Sequence, residues 1–132
     1  MTILYIDTIG EMSQLVLLSE EGTVAESEWH GLSTQTEMLL TEIDRLLSGA
    51  KVEKVELSGI AVRTSFGSYA GVRVGATTAN LLAFSMNIPI AGVSSFDPLE
   101  IREKLKKPAH FENPALPEYQ SEPFITKKKA RL

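Results

Sequence analysis

Apolar and β-branched residues open the chain in three short runs, TILYID at 2–7, SQLVLLS at 13–19 and TVAESEW at 23–29. The residues between them, Thr8-Ile9-Gly10 and Glu20-Glu21-Gly22, are turn formers, so the pattern predicts an antiparallel meander. The period then changes. Leu32, Leu39, Leu40, Ile43, Leu46 and Leu47 share one stripe at helical spacing, with Ser33 or Thr34 to cap the start and Ser48-Gly49 to close the end. Val55 to Val62 reads as a fourth strand, Gly71 to Met86 as a second helix and Ile88 to Ser94 as a fifth strand. Strand-helix-strand units of this kind predict parallel neighbours in one sheet. A third, shorter helix starts near Ser95 or Asp97, has Pro98 in its first turn, and ends before Pro108.

The order βββαβαβ predicts the α/β class, with a mixed five-stranded, ribonuclease-H-like sheet flanked by helices. Residues 1–107 make that lobe. Residues 108–132 read as an extended tail holding four of the six prolines, with Phe111, Tyr119 and Phe124 among them, and a basic C-terminus. Either the tail lies on its own lobe through its aromatics and ends in a solvated KKKARL, or Lys127, Lys128, Lys129 and Arg131 meet a phosphate backbone.

Composition narrows the classes. A length of 132 residues with 43% hydrophobic content predicts one domain with a real core. The lack of cysteine excludes a disulfide framework and a thiolate metal site, and suits a reducing cytosol. MTILYIDTIG carries no basic leader and no segment approaches ~18 unbroken apolar residues, so a soluble, cytoplasmic protein without membrane contact is expected. A net charge of −4 argues against broad nucleic-acid binding and leaves only local contact through the basic cluster.

A two-magnesium nuclease on this topology needs carboxylates from the first strand, the first helix and the end of the fourth strand. Asp7 and Glu37 or Glu42 supply the first two, but the fourth strand ends Ala61-Val62-Arg63-Thr64, with a cation in the third place. Asp7 equally suits capping of its own turn. His30 and His110 lack partners at metal-ligand spacing, and no Gly-x-Ser-x-Gly elbow is present. Gly67, Gly71 and Gly75 punctuate a strand-to-helix junction where, with Asp7, Thr8, Ser68 and Arg73, an anion or turn loop is a candidate. The stretch matches neither GxxxxGK[ST] nor GxGxxG. No catalytic residue, metal site or cofactor is assigned.

On a helical wheel Gly75, Ala76, Ala79 and Ala83 form a small-residue face, and Val74, Leu81, Leu82 and Met86 a bulky one. The polar arc of Arg73, Thr77, Asn80 and Asn87 is narrow, and Phe84 interrupts it. A helix this apolar suggests cover on two sides. The expectation is that the bulky face meets the sheet and the small face another chain, through Gly71, Val72, Gly75, Ala76, Ala79, Asn80 and Ala83. The C-terminal arm folding over the same patch is the alternative.

Ile6-Asp7-Thr8, TEMLLTEIDRLL at 36–47 and above all SFGSYAGVRVGATTANLLAFSMNIPIAGVSS at 65–95 resemble the TsaB (YeaZ) family over about residues 2–97. Members usually show Gly-Pro-Gly-Ser-Phe-Thr-Gly-Leu-Arg, then Ile-Gly, a small-residue helix, Ile-Pro and Gly-Val-Ser-Ser. Gly67, Ser68, Gly71, Arg73, Gly75, Ile88-Pro89 and Gly92-Val93-Ser94-Ser95 match, whereas Ser65-Phe66 replace the first Gly-Pro and Gln35-Thr36-Glu37 replace a common His-Ser-Glu. The resemblance implies an actin-like, Hsp70-like ATPase lobe, in a form lacking the usual second lobe. It implies a non-catalytic subunit in the making of threonylcarbamoyladenosine on tRNA, supporting a TsaD-type transferase whose His-x-x-x-His pair is missing from this chain. Packing would use the first two helices, with Met38, Glu42 and Arg45 from the first, and the same surface would make a homodimer when the protein is alone. A TsaE-type ATPase subunit is a further implied partner, and tRNA is met through the complex only. The alternatives are a one-lobed nucleotide-binding or phosphotransfer protein, and a remnant interaction domain outside the pathway.

Overall fold

A strand that is apolar on both faces must be covered on both, and TILYID is such a strand. In the computed structural model, which describes residues 1–30, 36–67, 69–106 and 118–119, it lies at the centre of the sheet. The elements are β1 (Thr2–Asp7), β2 (Met12–Ser19), β3 (Gly22–His30), α1 (Thr36–Ala50), a 3₁₀ turn (Lys54–Glu56), β4 (Leu57–Arg63), β5 (Ser65–Gly67), α2 (Tyr69–Met86), β6 (Ile90–Val93), α3 (Pro98–Lys104) and β7 (Glu118–Tyr119). The main sheet has the order β3-β2-β1-β4-β6. β2 pairs antiparallel with both β1 and β3, while β4 runs parallel to β1 and β6 parallel to β4. This is the expected α/β class and five-stranded mixed sheet. β5 and β7 form a separate parallel pair, Ser65 opposite Glu118 and Gly67 opposite Tyr119, which the sequence pattern did not foretell.

Alternation sorts the strand residues into two cores. Leu4, Ile6, Leu15, Leu17, Ile60 and Val62 pack on one face under Leu39, Ile43 and Leu47 of α1 and Ala79 and Ala83 of α2. Ile3, Tyr5, Val16, Leu18, Ala61 and Val93 face the other way, under Ile101 of α3, Leu105 and Phe96. Tyr5 and Phe96 meet edge to face with ring centroids 5.0 Å apart. β3 is wetter: Ala25 and Trp29 pack toward α1, and Glu26 and Glu28 on the opposite face are exposed.

The helix ends differ from expectation in an instructive way. α1 runs past Ser48-Gly49 to Ala50, and Lys51 takes the left-handed conformation at φ 60°. Val52 N–H then donates to Leu47 C=O at 2.9 Å and Lys51 N–H to Ser48 C=O at 3.1 Å, the paired bonds of a Schellman end. α2 ends the same way at Asn87, φ 55°, with Ile88 N–H donating to Ala83 C=O at 3.1 Å. α3 is capped by Asp97, whose Oδ1 accepts from Leu99 N–H at 3.1 Å, and Pro98 occupies its first turn. The fourth strand begins at Leu57 because residues 54–56 form the 3₁₀ turn, and the last sheet strand is trimmed to Ile90–Val93. The expected α1 cap at Ser33 or Thr34, Leu32, the candidate Ser68 and, apart from Glu118 and Tyr119, the tail 108–132 lie outside the described residues.

Candidate functional site

Because β4 is parallel to β1, their C-terminal ends coincide, and this brings Asp7 and Arg63 together. Arg63 Nη1 donates to Asp7 Oδ2 at 3.2 Å, Ile9 N–H donates to Oδ1 at 2.9 Å, and the Tyr5 hydroxyl lies 3.4 Å from Oδ2. Both carboxylate oxygens are therefore engaged within the lobe. The bond from Ile9 makes Asp7 the cap of its own turn, one of the two roles its position allowed. The cation noted at the end of the fourth strand is its ion-pair partner. Burial pushes the Tyr5 phenol well above its usual range, and the Asp7 carboxylate adds to the shift while Arg63 opposes it. Among the described residues no three His, Asp or Glu gather as metal ligands.

Thr8 follows, buried, and its hydroxyl donates to Gly71 C=O in the first turns of α2. Gly75 lies on the next turn of the same face, and a Cβ there would sit 2.5 Å from Thr8 Oγ1 and 3.4 Å from Val62 Cγ2. The glycine is what allows the helix to approach the strand ends this closely. The structure thus joins Asp7 to Arg63 and Thr8 to Gly71 and Gly75. Gly67 lies in β5, and Arg73 is on the exposed side of α2 and engaged there.

α2 is turned about its axis relative to expectation. Gly75 lies on Thr8 and Val62, Ala79 and Ala83 pack in the core with the sheet, and Val72 and Ala76 are buried as well, so none of the five is open to another chain, while Gly71 and Asn80 are only partly exposed. Asn80 Nδ2 donates back to Ala76 C=O at 2.7 Å. The reason is the close approach just described: a helix laid on strand ends at glycine distance needs small residues underneath. Val74, Leu82 and Met86 pack at the border of the core, and Leu81, expected inside, is 60% exposed beside Phe84 at 61%. Phe84 was visible in the sequence as an interruption of the polar arc, and that was the signal of an apolar outer face.

On α1, Met38 is exposed, and Glu42 and Arg45 form an ion pair at 3.0 Å. Glu42 and Arg45 line a groove between α1 and β3 with Ala25, Ser27 and Leu46. That is the β3 side of α1, so Glu42 and Arg45 do not continue the buried set of α2 into one surface.

Sequence and structure comparisons converge on this arrangement. The family model described as TsaD, tRNA N6-adenosine threonylcarbamoyltransferase, matches residues 33–118, from before α1 to β7. The tRNA threonylcarbamoyladenosine biosynthesis protein TsaB of Bacillus subtilis is 37% identical over 99 residues, covering 75% of this chain and 43% of that protein. The chain belongs to the TsaB (YeaZ) family. The TsaB of Haemophilus influenzae is 30% identical over 95 residues, 72% of this chain and 40% of its own length. YeaZ from Pseudomonas aeruginosa superposes with a TM-score of 0.65 at 28% identity, over 70% of this chain and 43% of that one. A second Pseudomonas aeruginosa structure, described as similar to peptidase YeaZ, aligns with the same values. The fold is accordingly an actin-like ATPase lobe of the TsaB type, and the chain spans about two fifths of the curated relatives it matches, 43% and 40%. Among the described residues no helix is long and apolar enough to cross a membrane.

Proposed function

We propose that this TsaB-family chain is a non-catalytic partner subunit in tRNA threonylcarbamoyladenosine biosynthesis. It docks a TsaD-type transferase, or a second copy of itself when alone, through the outward face of α2. The observation that carries this reading is the pair Leu81 and Phe84, 60% and 61% exposed, three residues apart on a helix whose inward face is already filled by the sheet. Burying two such side chains releases on the order of 1.5–3 kcal/mol each, enough to anchor an interface. Arg73 and Thr77 share the same exposed side and supply its polar rim. A TsaE-type ATPase subunit and tRNA are then met through the assembled complex.

Support for the non-catalytic part comes from the engaged Asp7 and from the histidines at 30 and 110, eighty positions apart and unable to form a helical pair. The deciding experiment is Leu81→Asp with Phe84→Asp, followed by light scattering alone and with the TsaD-type subunit. The double variant keeps its circular dichroism and loses association at least ~30-fold, corresponding to ~2 kcal/mol. Association retained at parental strength rejects this face.

A further inference from the structure

No lysine or arginine precedes Arg45 in the sequence, so the β1-β2-β3 meander is built without either cation. Glu20, Glu21, Glu26 and Glu28 lie on β3 or on the turn that enters it, and all four are exposed. β3 pairs only with β2 among the described residues, and its other edge presents the backbone of Gly22–His30, nine residues long. An edge of that length is a template for a further strand. Alternation gives its two sides different chemistry. Glu26 and Glu28 are exposed on the side away from α1, and neither carboxylate has an ion-pair partner among the described residues. On the α1 side, Ala25 and Ser27 border a mostly apolar groove of about 230 Å³ with Leu46, Gly49 and Ala50.

We propose that this edge of β3 receives an extended segment of a different protein, with basic residues at alternate positions beside Glu26 and Glu28 and aliphatic residues between them in the groove along α1. The backbone supplies the pairing, and the side chains choose the partner. Charge decides against a second copy of this chain. In an antiparallel pair of two β3 strands related by a two-fold axis at Ser27, Glu26 of each copy lies opposite Glu28 of the other, and like charges set directly opposite are destabilising. Carboxylates on an edge therefore repel an identical edge and attract a basic one. The same charge refuses a nucleic acid. A basic strand meets a carboxylate at two successive outward positions and lays its other side on apolar surface, so both of its faces are satisfied.

Titration of the full chain with a blocked octapeptide alternating lysine and valine tests this. Two signals are read: the emission of Trp29, the single tryptophan, which lies on β3, and hydrogen exchange of the β3 amides. The peptide changes the emission, slows exchange of the outward β3 amides at least ~10-fold, and binds more weakly as salt is raised. Glu26→Lys with Glu28→Lys weakens its binding at least ~10-fold and transfers the preference to an octapeptide alternating glutamate and valine. Methylating every backbone nitrogen of the lysine peptide keeps its charges, removes its donors and abolishes both signals. A methylated peptide that binds as well as the parent peptide overturns the proposal, since charge alone then accounts for the contact. Binding that leaves β3 exchange unchanged overturns it by placing the peptide elsewhere. Outward β3 amides already protected without peptide overturn it too: at every protein concentration they give the edge to the chain's own residues, and with rising concentration to a second copy.

Discussion

At the residue scale the lobe depends on a few close approaches. Gly75 against Thr8 is the tightest, and Gly75→Ala forces its Cβ to 2.5 Å from Thr8 Oγ1. We expect a loss of about 1–3 kcal/mol in urea unfolding, the usual cost of overpacking. Thr8→Ala in the same chain should recover part of it, giving a favourable coupling in a double-mutant cycle. Tyr5 offers a pH test. Its phenol is neutral in the fold and its ionisation is pushed above the ordinary value near 10, by burial first and by Asp7 second. The stability this group contributes is complete below pH ~10 and is lost as pH rises beyond it, because the unfolded chain releases the proton more easily. The urea midpoint of the parent therefore falls more steeply above pH 10 than that of Tyr5→Phe. Part of this chemistry was legible in the sequence: Asp7 at a strand end and Arg63 at another were both visible. Their ion pair was not, since it depends on the parallel register that aligns the two ends.

At the scale of elements, the order βββαβαβ was legible because alternation and helical spacing each persist long enough to be read, as in TILYID and in the stripe Leu39, Ile43, Leu46. The short pair β5–β7 was not, since three residues against two carry no period. The orientation of α2 differs from the one the helical wheel suggests, and for a physical reason. Small residues permit close approach, but a wheel does not say whether the thing approached is a partner or the chain's own strands. Thr8 and Val62 answer that question for Gly75. Ala83→Arg, which would leave the fold intact if that face were outward, should instead unfold the lobe, with circular dichroism lost at a temperature where Leu81→Asp retains it. The helix ends give a milder test. Lys51 holds a left-handed backbone that costs a side-chain-bearing residue roughly 1–2 kcal/mol, so Lys51→Gly should gain about 0.5–1 kcal/mol after its own entropy cost is subtracted. Asn87→Gly should gain less, because asparagine tolerates that conformation.

At the scale of the molecule, Leu81 and Phe84 give α2 an exposed apolar patch on its outer side, and the proposed docking rests on it. The strand order has a different consequence, which concerns manufacture. β1 comes before the other strands of the lobe along the chain and is the central one in the sheet, yet its parallel neighbour β4 pairs Tyr5 with Ala61, some fifty-six positions later. The early meander of β1, β2 and β3 must leave the ribosome with Leu4, Ile6, Leu15 and Leu17 bare, waiting for α1 and α2 to be made. The opposite face waits longer still, until Ile101 and Leu105 arrive, the latter settling against Gly59. Nascent chains arrested before α2 should thus be cut quickly by protease and bound by general chaperones. Those arrested with Leu105 clear of the exit tunnel should resist, so that a short helix synthesised late in the lobe sets the moment at which the central strand becomes safe.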